Sequence, residues 1–396
     1  MAGANAQNPA AQAPAAQARD LRAKGDAAGA LAAFKKAAAL NPGSGSLRDE
    51  IGFLQAVLGQ GEEALASFRE ACLLDPGHAP AHYHLGVAYW LARNPELAIP
   101  ELRQAAALTP RNFEFRYFLG NALNNTGNYK EALPELSSAV ELNPKHSEAW
   151  NQLGLARQRT GDEINAGAAY RNAVAADPAN ADARNNLGFV LVNGGRADDG
   201  IVEFRRILET DPNNNMARLN MGFAFLQKAR LDAAEQLFRE VIRRDPASAI
   251  AHYDLGVALK LKDRLDEAAN EIDAALALDA NLPEAHYTLG IIAWQSGDFD
   301  SAAASMNAAL SLKPDYGEAW FTLGTALKQS GKLGPAEAAL RNAIRYAPED
   351  PGPYNALGQL LRQEGDAEAS RAAFAKGAAA LKKKSAALGA MLQKGR

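Results

Sequence analysis

Three stretches place a histidine, a tyrosine and a glycine at one fixed spacing: AHYHLGVAYW from Ala81, AHYDLGVALK from Ala251 and AHYTLGIIAW from Ala285. Imidazole is the commonest general base and a frequent metal ligand, so these residues are the first to test for chemistry. Their spacing argues against it. His82 and His84 are two apart, on different sides of a helix. His78 and His82 are four apart but straddle Pro80 and a helix start, a poor geometry for a metal pair. The sequence has no HExxH, no phosphate loop with its lysine, no GxSxG and no nucleophile beside a base. Carboxylates fall mostly in turns and at helix starts, where they cap the helix and complement its dipole. The expectation is a chain with no catalytic residues, no metal site and no cofactor.

The elements that carry these residues show in the register. Pro42, Pro76, Pro110, Pro144, Pro178, Pro212 and Pro246 fall 34 residues apart; the series skips Ala280 and resumes at Pro314 and Pro348. Ten residues after each point stands a glycine, from Gly52 and Gly86 through to Gly324 and Gly358. If a repeat begins three residues after the proline, apolar or small residues recur at positions 4, 7, 8 and 11, as in Trp320, Leu323, Gly324 and Leu327. Those offsets share one side of an α-helix. A second set recurs at positions 20, 24 and 27, as in Ala166, Tyr170 and Ala173. Between the sets lie turns such as Gly127-Asn128, Gly161-Asp162 and Gly297-Asp298, and Asp-Pro or Asn-Pro ends the second helix.

This pattern resembles the tetratricopeptide repeat family, with its 34-residue helix–turn–helix unit. The resemblance covers residues 17–384 as about eleven repeats, the first and last degenerate, with Ala18 in place of the first glycine and Ser370 and Gly377 in the last second helix. It implies an all-α, right-handed α–α superhelix. Residues 1–16 are rich in Ala, Gln and Pro and are expected to form a flexible arm; 385–396 are expected to form a closing helix or tail. Pro100 and Pro134 at position 22 predict a distorted first turn, not a broken repeat. Pro283 suits a helix start.

Composition limits the partners. Net charge is −4 with both signs dispersed, which leaves no basic surface for nucleic acid. The run Lys382-Lys383-Lys384 reads as a solvated face or end. A single cysteine, Cys72, allows no intrachain disulfide and no cysteine cluster for zinc. No apolar run reaches membrane-spanning length. The first residues lack a secretory signal, so a cytoplasmic setting is the default; a periplasmic or exported one would follow if a signal had been removed.

At position 4 the histidines His82, His252 and His286 are expected to fill a packing site facing the second helix of their own repeat. The opposite arc, positions 2, 5, 6, 9, 12 and 13, is implied by the resemblance to line a concave groove. Its centre carries amides: Asn121, Asn124, Asn125, Asn151, Gln152, Asn185, Asn186, Asn193 and Asn220. Aromatic residues flank it: Tyr83, Trp90 and Tyr117 on one side, Phe189, Phe223, Tyr253, Tyr287 and Trp294 on the other. An amide offers both a donor and an acceptor, as an extended main chain does. The expectation is a non-enzymatic scaffold that binds an extended peptide or partner segment there, with protein or peptide as ligand. The alternatives are that the aromatics pack between neighbouring first helices, and that the chain presents substrates to a separate transferase or assembly machine. Asn186 and Asn220 also match the asparagine ladder of O-GlcNAc transferase-like superhelices, although Asp254, Thr288 and Thr322 depart from it. A basic clamp of the kind that binds chaperone tails is excluded, since Asn121 has Tyr117 where the clamp needs lysine.

Overall fold

The computed structural model describes residues 9–394, with side chains from 10 to 386. Among them every regular element is an α-helix. Up to Glu203 one compact unit holds α1 (Pro9–Ala23), α2 (Ala27–Leu40), α3 (Gly45–Val57), α4 (Gly61–Leu74), α5 (Ala79–Leu91), α6 (Pro95–Leu108), α7 (Phe113–Asn125), α8 (Tyr129–Leu142), α9 (Ser147–Arg159), α10 (Glu163–Ala176), α11 (Ala181–Asn193) and the start of α12 (Ala197–Thr210). From Phe204 a second unit holds α13 (Asn215–Gln227), α14 (Leu231–Arg244), α15 (Ala249–Leu261), α16 (Leu265–Leu278), α17 (Pro283–Gln295), α18 (Phe299–Leu312), α19 (Gly317–Gln329), α20 (Leu333–Tyr346), α21 (Pro351–Gln363) and α22 (Ala367–Lys394). Odd-numbered helices are the first of each repeat and even-numbered ones the second.

The helix boundaries follow from local chemistry. Asn112, Asn180, Asn214 and Ser248 cap first helices by accepting from the backbone N–H three residues on. Asp26, Asn94, Asp162 and Asp298 do the same for second helices. The turn inside each repeat needs one residue in the left-handed region. Glycine supplies it at Gly127 (φ 77°), but Arg93, Ala229 and Asp263 are held there without glycine at 56°, 53° and 60°.

Within a repeat the two helices meet at the position-8 glycine. A Cβ on Gly52 would lie 2.7 Å from the Phe68 ring, on Gly154 2.5 Å from Tyr170, and on Gly222 2.5 Å from Phe238. The facing residue sixteen positions on is enclosed by the helix pair: Tyr170 and Phe238 are both 0% exposed. Consecutive repeats then stack their first helices. In the first unit α3 packs on α5, α7 on α9 and α9 on α11; in the second the series runs α13, α15, α17, α19, α21. Within each unit the first helices therefore form one continuous face, the inner one, while second helices pack on the first helix that follows them, as α4 does on α5 and α14 on α15.

Two expectations about the ends change. The proposed arm is helical from Pro9 onward, and residues 1–8 lie outside the described residues. Ala11, Ala15 and Ala18 make a stripe one or two turns apart, each 5% exposed or less, and Ala15 and Ala18 share a core with Leu31 and Phe34 of α2. Alanine's small size and high helix propensity let a sequence that looks unstructured dock closely. At the other end α22 runs unbroken from Ala367 to Lys394, so residues 385–394 continue that helix rather than forming an element of their own. Pro100 and Pro134 lie inside α6 and α8, which continue past them. Both prolines lie within a turn of the solvent-facing Glu96 and Lys130, whose carbonyls lose their usual donor and can turn to water. Pro283 opens α17 as expected.

These contacts give two glycine–alanine exchanges opposite signs. Helix propensity alone would make Gly222→Ala favourable by about 1 kcal/mol. Overlap with the enclosed Phe238 ring should reverse that and cost about 1–3 kcal/mol. Ala229→Gly should stabilise by about 0.5–1 kcal/mol, because relief of left-handed strain exceeds the entropy that glycine adds to the unfolded chain. Urea midpoints of the two variants should move in opposite directions.

Candidate functional site

Position 4 proves to be a hydrogen-bonding position. Trp150 Nε1 donates to the Pro144 carbonyl at 2.9 Å and Trp320 Nε1 to that of Pro314 at 2.8 Å. Arg116 and Arg184 donate to Pro110 and Pro178, and the Tyr354 hydroxyl to Pro348. His82 and His252 place Nε2 at 3.1 and 3.3 Å from the carbonyls of Pro76 and Pro246. His286 reaches the carbonyl of Ala280 at 3.1 Å, where the proline is missing. Each bond spans six residues and ties a first helix to the turn before it. Tryptophan, arginine, histidine and tyrosine share one property here, a long side chain that ends in a donor. The histidines do face their own second helix, as expected: His82 Nδ1 lies 2.6 Å from Glu101 and His252 Nδ1 2.7 Å from Glu271.

On the inner face a second pattern links neighbouring first helices. A polar residue at position 5 bonds to position 6 of the next repeat, 35 residues on. Asp49 receives His84 Nδ1 at 2.7 Å, and Asn186 Nδ2 donates to Asn151 Oδ1 at 3.0 Å. The hydroxyls of Tyr253 and Tyr287 hydrogen-bond with Thr288 and Thr322. At Tyr83 the same register brings two rings together, with Phe118 edge-on at 5.4 Å. Asn124 works beside this series: its Nδ2 donates to the backbone carbonyl and the Oε1 of Gln152, while Gln152 Nε2 donates to Glu148.

These ties sort the expected groove residues. Asn124 and Asn151 are only 3% and 6% exposed, so they are withdrawn from the open face. Asn124 Nδ2 and Asn151 Oδ1 are taken up in joining helices, while Asn124 Oδ1 is buried without a hydrogen-bond partner among the described residues. Tyr83, Tyr117 and Trp90 are half-buried against the core of the first unit; Tyr83 also meets Phe115 at 4.8 Å, and Tyr117 stacks on Phe113 at 5.7 Å. Tyr253 packs on the core of the second unit, and Tyr287 meets Tyr316 at 4.9 Å. Burial pushes the hydroxyls of Tyr83 and Tyr117 up to about 12. Asn185, Phe189, Asn220 and Phe223 are half-buried. Asn125 and Asn193 are exposed, Asn121 half so, and Trp294 keeps 39% of its surface in solvent.

Two polar features escaped the sequence reading. Asp49, 5% exposed, lies between His78 Nε2 at 3.3 Å and His84 at the floor of a cleft of about 320 Å³ lined by Arg22, Phe53 and Pro80. Burial works to raise its carboxyl, but the hydrogen bonds from both histidines outweigh it and hold the group below the ordinary range. The 35-residue offset between Asp49 and His84 was the available signal. The other is Asp254 at position 6 of the second unit. Its position-5 neighbour one repeat back is Leu219, which has no polar atom to offer. Among the described residues Asp254 has no hydrogen-bond or ion-pair partner, and burial pushes it up to about 7.

The sign of the Asp254 effect is fixed by linkage. A carboxyl raised in the folded state is stabilising while protonated, and that stability is lost as pH rises from about 4 through its folded value near 7. The urea midpoint should therefore carry a decline between those pH values that Asp254→Asn removes.

Comparisons with known proteins agree with this architecture. A tetratricopeptide repeat model matches residues 89–155, 160–220 and 293–357, and a second model of the same description matches 54–113 and 219–283. Among solved structures, a tetratricopeptide repeat protein from Parabacteroides merdae is 17% identical over 63% of this chain and 98% of its own, with a TM-score of 0.56. A chain of the APC/C hetero-tetramer Cut9-Hcn1 is 13% identical over 87% and 89%, with a TM-score of 0.55. Yeast Tom70 is 13% identical over 97% and 96%, with a TM-score of 0.50. At these identities the likeness carries the fold alone. Comparison with curated proteins gives no match. Repeats of this kind build protein–protein interaction scaffolds, and with its glycine–aromatic helix contacts and 34-residue register this chain belongs to the tetratricopeptide repeat family.

Proposed function

We propose that the chain binds an extended segment of a partner protein along the inner face of its first helices, without catalysing a reaction on it. One observation carries this reading. On α7, Asn125 Nδ2 donates to the backbone carbonyl and Oδ1 of Asn121 at 2.8 and 2.9 Å. Among the described residues this leaves Asn121 Nδ2 and Asn125 Oδ1 without a protein partner. A donor and an acceptor held side by side on an open face match the main chain of an extended peptide. Unlike Asn124 and Asn151, these amides have no part in joining helices.

The second unit supports the same use with different chemistry. Trp294 offers a large, stiff contact surface that costs little entropy to fix. The unpaired Asp254 favours a segment that brings a lysine or arginine, since a cation would recover the solvation its carboxylate has lost.

The test is selection of unstructured peptides from a displayed library, followed by photocrosslinking. A benzophenone side chain would replace Asn121 or Trp294 on the inner face, or Ile164, 86% exposed on the second helix α10. Selected peptides should crosslink at Asn121 or Trp294 and not at Ile164, and Asn121→Ala/Asn125→Ala should weaken their binding about tenfold, on the order of one to two lost hydrogen bonds. Crosslinking at Ile164 alone, or affinity unchanged in the double variant, would overturn the proposal.

A further inference from the structure

The pair His82–Glu101 has a twin. His252 and Glu271 repeat it five repeats later, with the same Nδ1–carboxylate contact and the same Nε2–carbonyl bond. The pair alone is therefore part of the scaffold. What differs is the third group. Ten residues before His252 stands Ile242, and ten before His82 stands Cys72. At the first of the two pairs, the thiol of Cys72 from the preceding repeat, a ring nitrogen of His82 and a carboxylate oxygen of Glu101 all lie within 4.8 Å of one another.

We propose that Cys72, His82 and Glu101 bind a single divalent transition-metal ion of the zinc class, with the fourth coordination position open to water. Thiolate, imidazole and carboxylate are the donors that zinc takes, and together the two anionic donors neutralise the dication. The imidazole ring already has the orientation that ligation needs, because the carbonyl of Pro76 receives His82 Nε2 at 3.1 Å and leaves Nδ1 facing Glu101. Metal-binding histidines are typically fixed by such a backbone contact on the other nitrogen. The three donors come from three different helices, α4, α5 and α6, so the frame that holds them is rigid.

The required movement is small. Ligands about 2.0–2.3 Å from a tetrahedral ion are roughly 3.6 Å apart. Nδ1 and Glu101 would open from 2.6 Å by about 1 Å, which the Glu101 side chain allows because 27% of it remains in solvent. The thiol would close by a similar amount. Uptake replaces the thiol proton and the proton between His82 and Glu101 with the metal, and no electron moves.

Titration of the full chain with Co²⁺ tests this directly. The wild type should develop a near-ultraviolet thiolate-to-cobalt band that saturates at one ion per chain, and Zn²⁺ should displace it. Cys72→Ile copies the side chain found beside His252, so it keeps a packing this fold already accepts; circular dichroism would verify that. That variant should lose the band. Glu101→Gln should weaken binding by at least the roughly 10–100-fold that loss of an outer-shell partner costs. His252→Gln should leave the band unchanged. A wild type with no thiolate band, or a band undiminished in Cys72→Ile, would overturn the site.

Discussion

The architecture depends on how closely two helices can approach at one point. In the described repeats the position-8 glycine lies so near the residue sixteen positions on that a methyl group would meet it at 2.5–3.0 Å, whether that residue is Phe68, Leu102, Tyr170, Ile272 or Met306. The partner changes between aromatic and aliphatic, because what stays constant in these glycine-bearing repeats is the absence of a Cβ opposite it; the first repeat, with Ala18 against Phe34, departs from this. Fixing this contact fixes the angle of the helix pair. The spacing from glycine to partner can then vary neither by insertion nor by deletion, which explains the unbroken 34-residue register.

A helix pair so defined still has to be joined to its neighbours, and two polar devices do this. The position-4 donor reaches back six residues to the carbonyl left open where the previous second helix ends, so a carbonyl with no helical partner is satisfied by the next repeat. The position-5 to position-6 ties connect successive first helices on the inner face. Both devices accept several side chains. Trp150, Arg184, His252 and Tyr354 perform the first; the pairs Asp49–His84, Asn151–Asn186 and Tyr253–Thr288 perform the second.

That chemical tolerance decides how much could be read from the sequence. Helix positions, turns and the glycine contact were legible because each follows from residues within one repeat. The inner face was only partly legible. Asn121 and Asn124 are three apart on the same helix, yet one is half-exposed and the other is 3% exposed, because Asn124 meets Gln152 from the next repeat. No local pattern distinguishes them; the distinction lies 28 residues away. The alanines of α1 misled for a related reason, since their burial depends on Leu31 and Phe34 across the interface and on nothing in their own stretch.

A repeat array states its own background, and the positions proposed here for binding are departures from it. Where the inner-face tie is intact, the side chains are spent on the scaffold. Leu219 breaks the tie and leaves Asp254 a half-buried carboxyl without a hydrogen-bond or ion-pair partner among the described residues, a cost that the tied repeats avoid. Cys72 departs from its twin in the same sense: Ile242 at the matching position packs on the apolar core of the second unit, whereas the thiol adds a third donor beside His82 and Glu101. Asn121 and Asn125 bond to each other within one helix and stay outside the ladder. Each of these residues stands where another repeat of the same fold carries a different side chain. Stability thus gives no reason for their presence, and the proposed binding roles do.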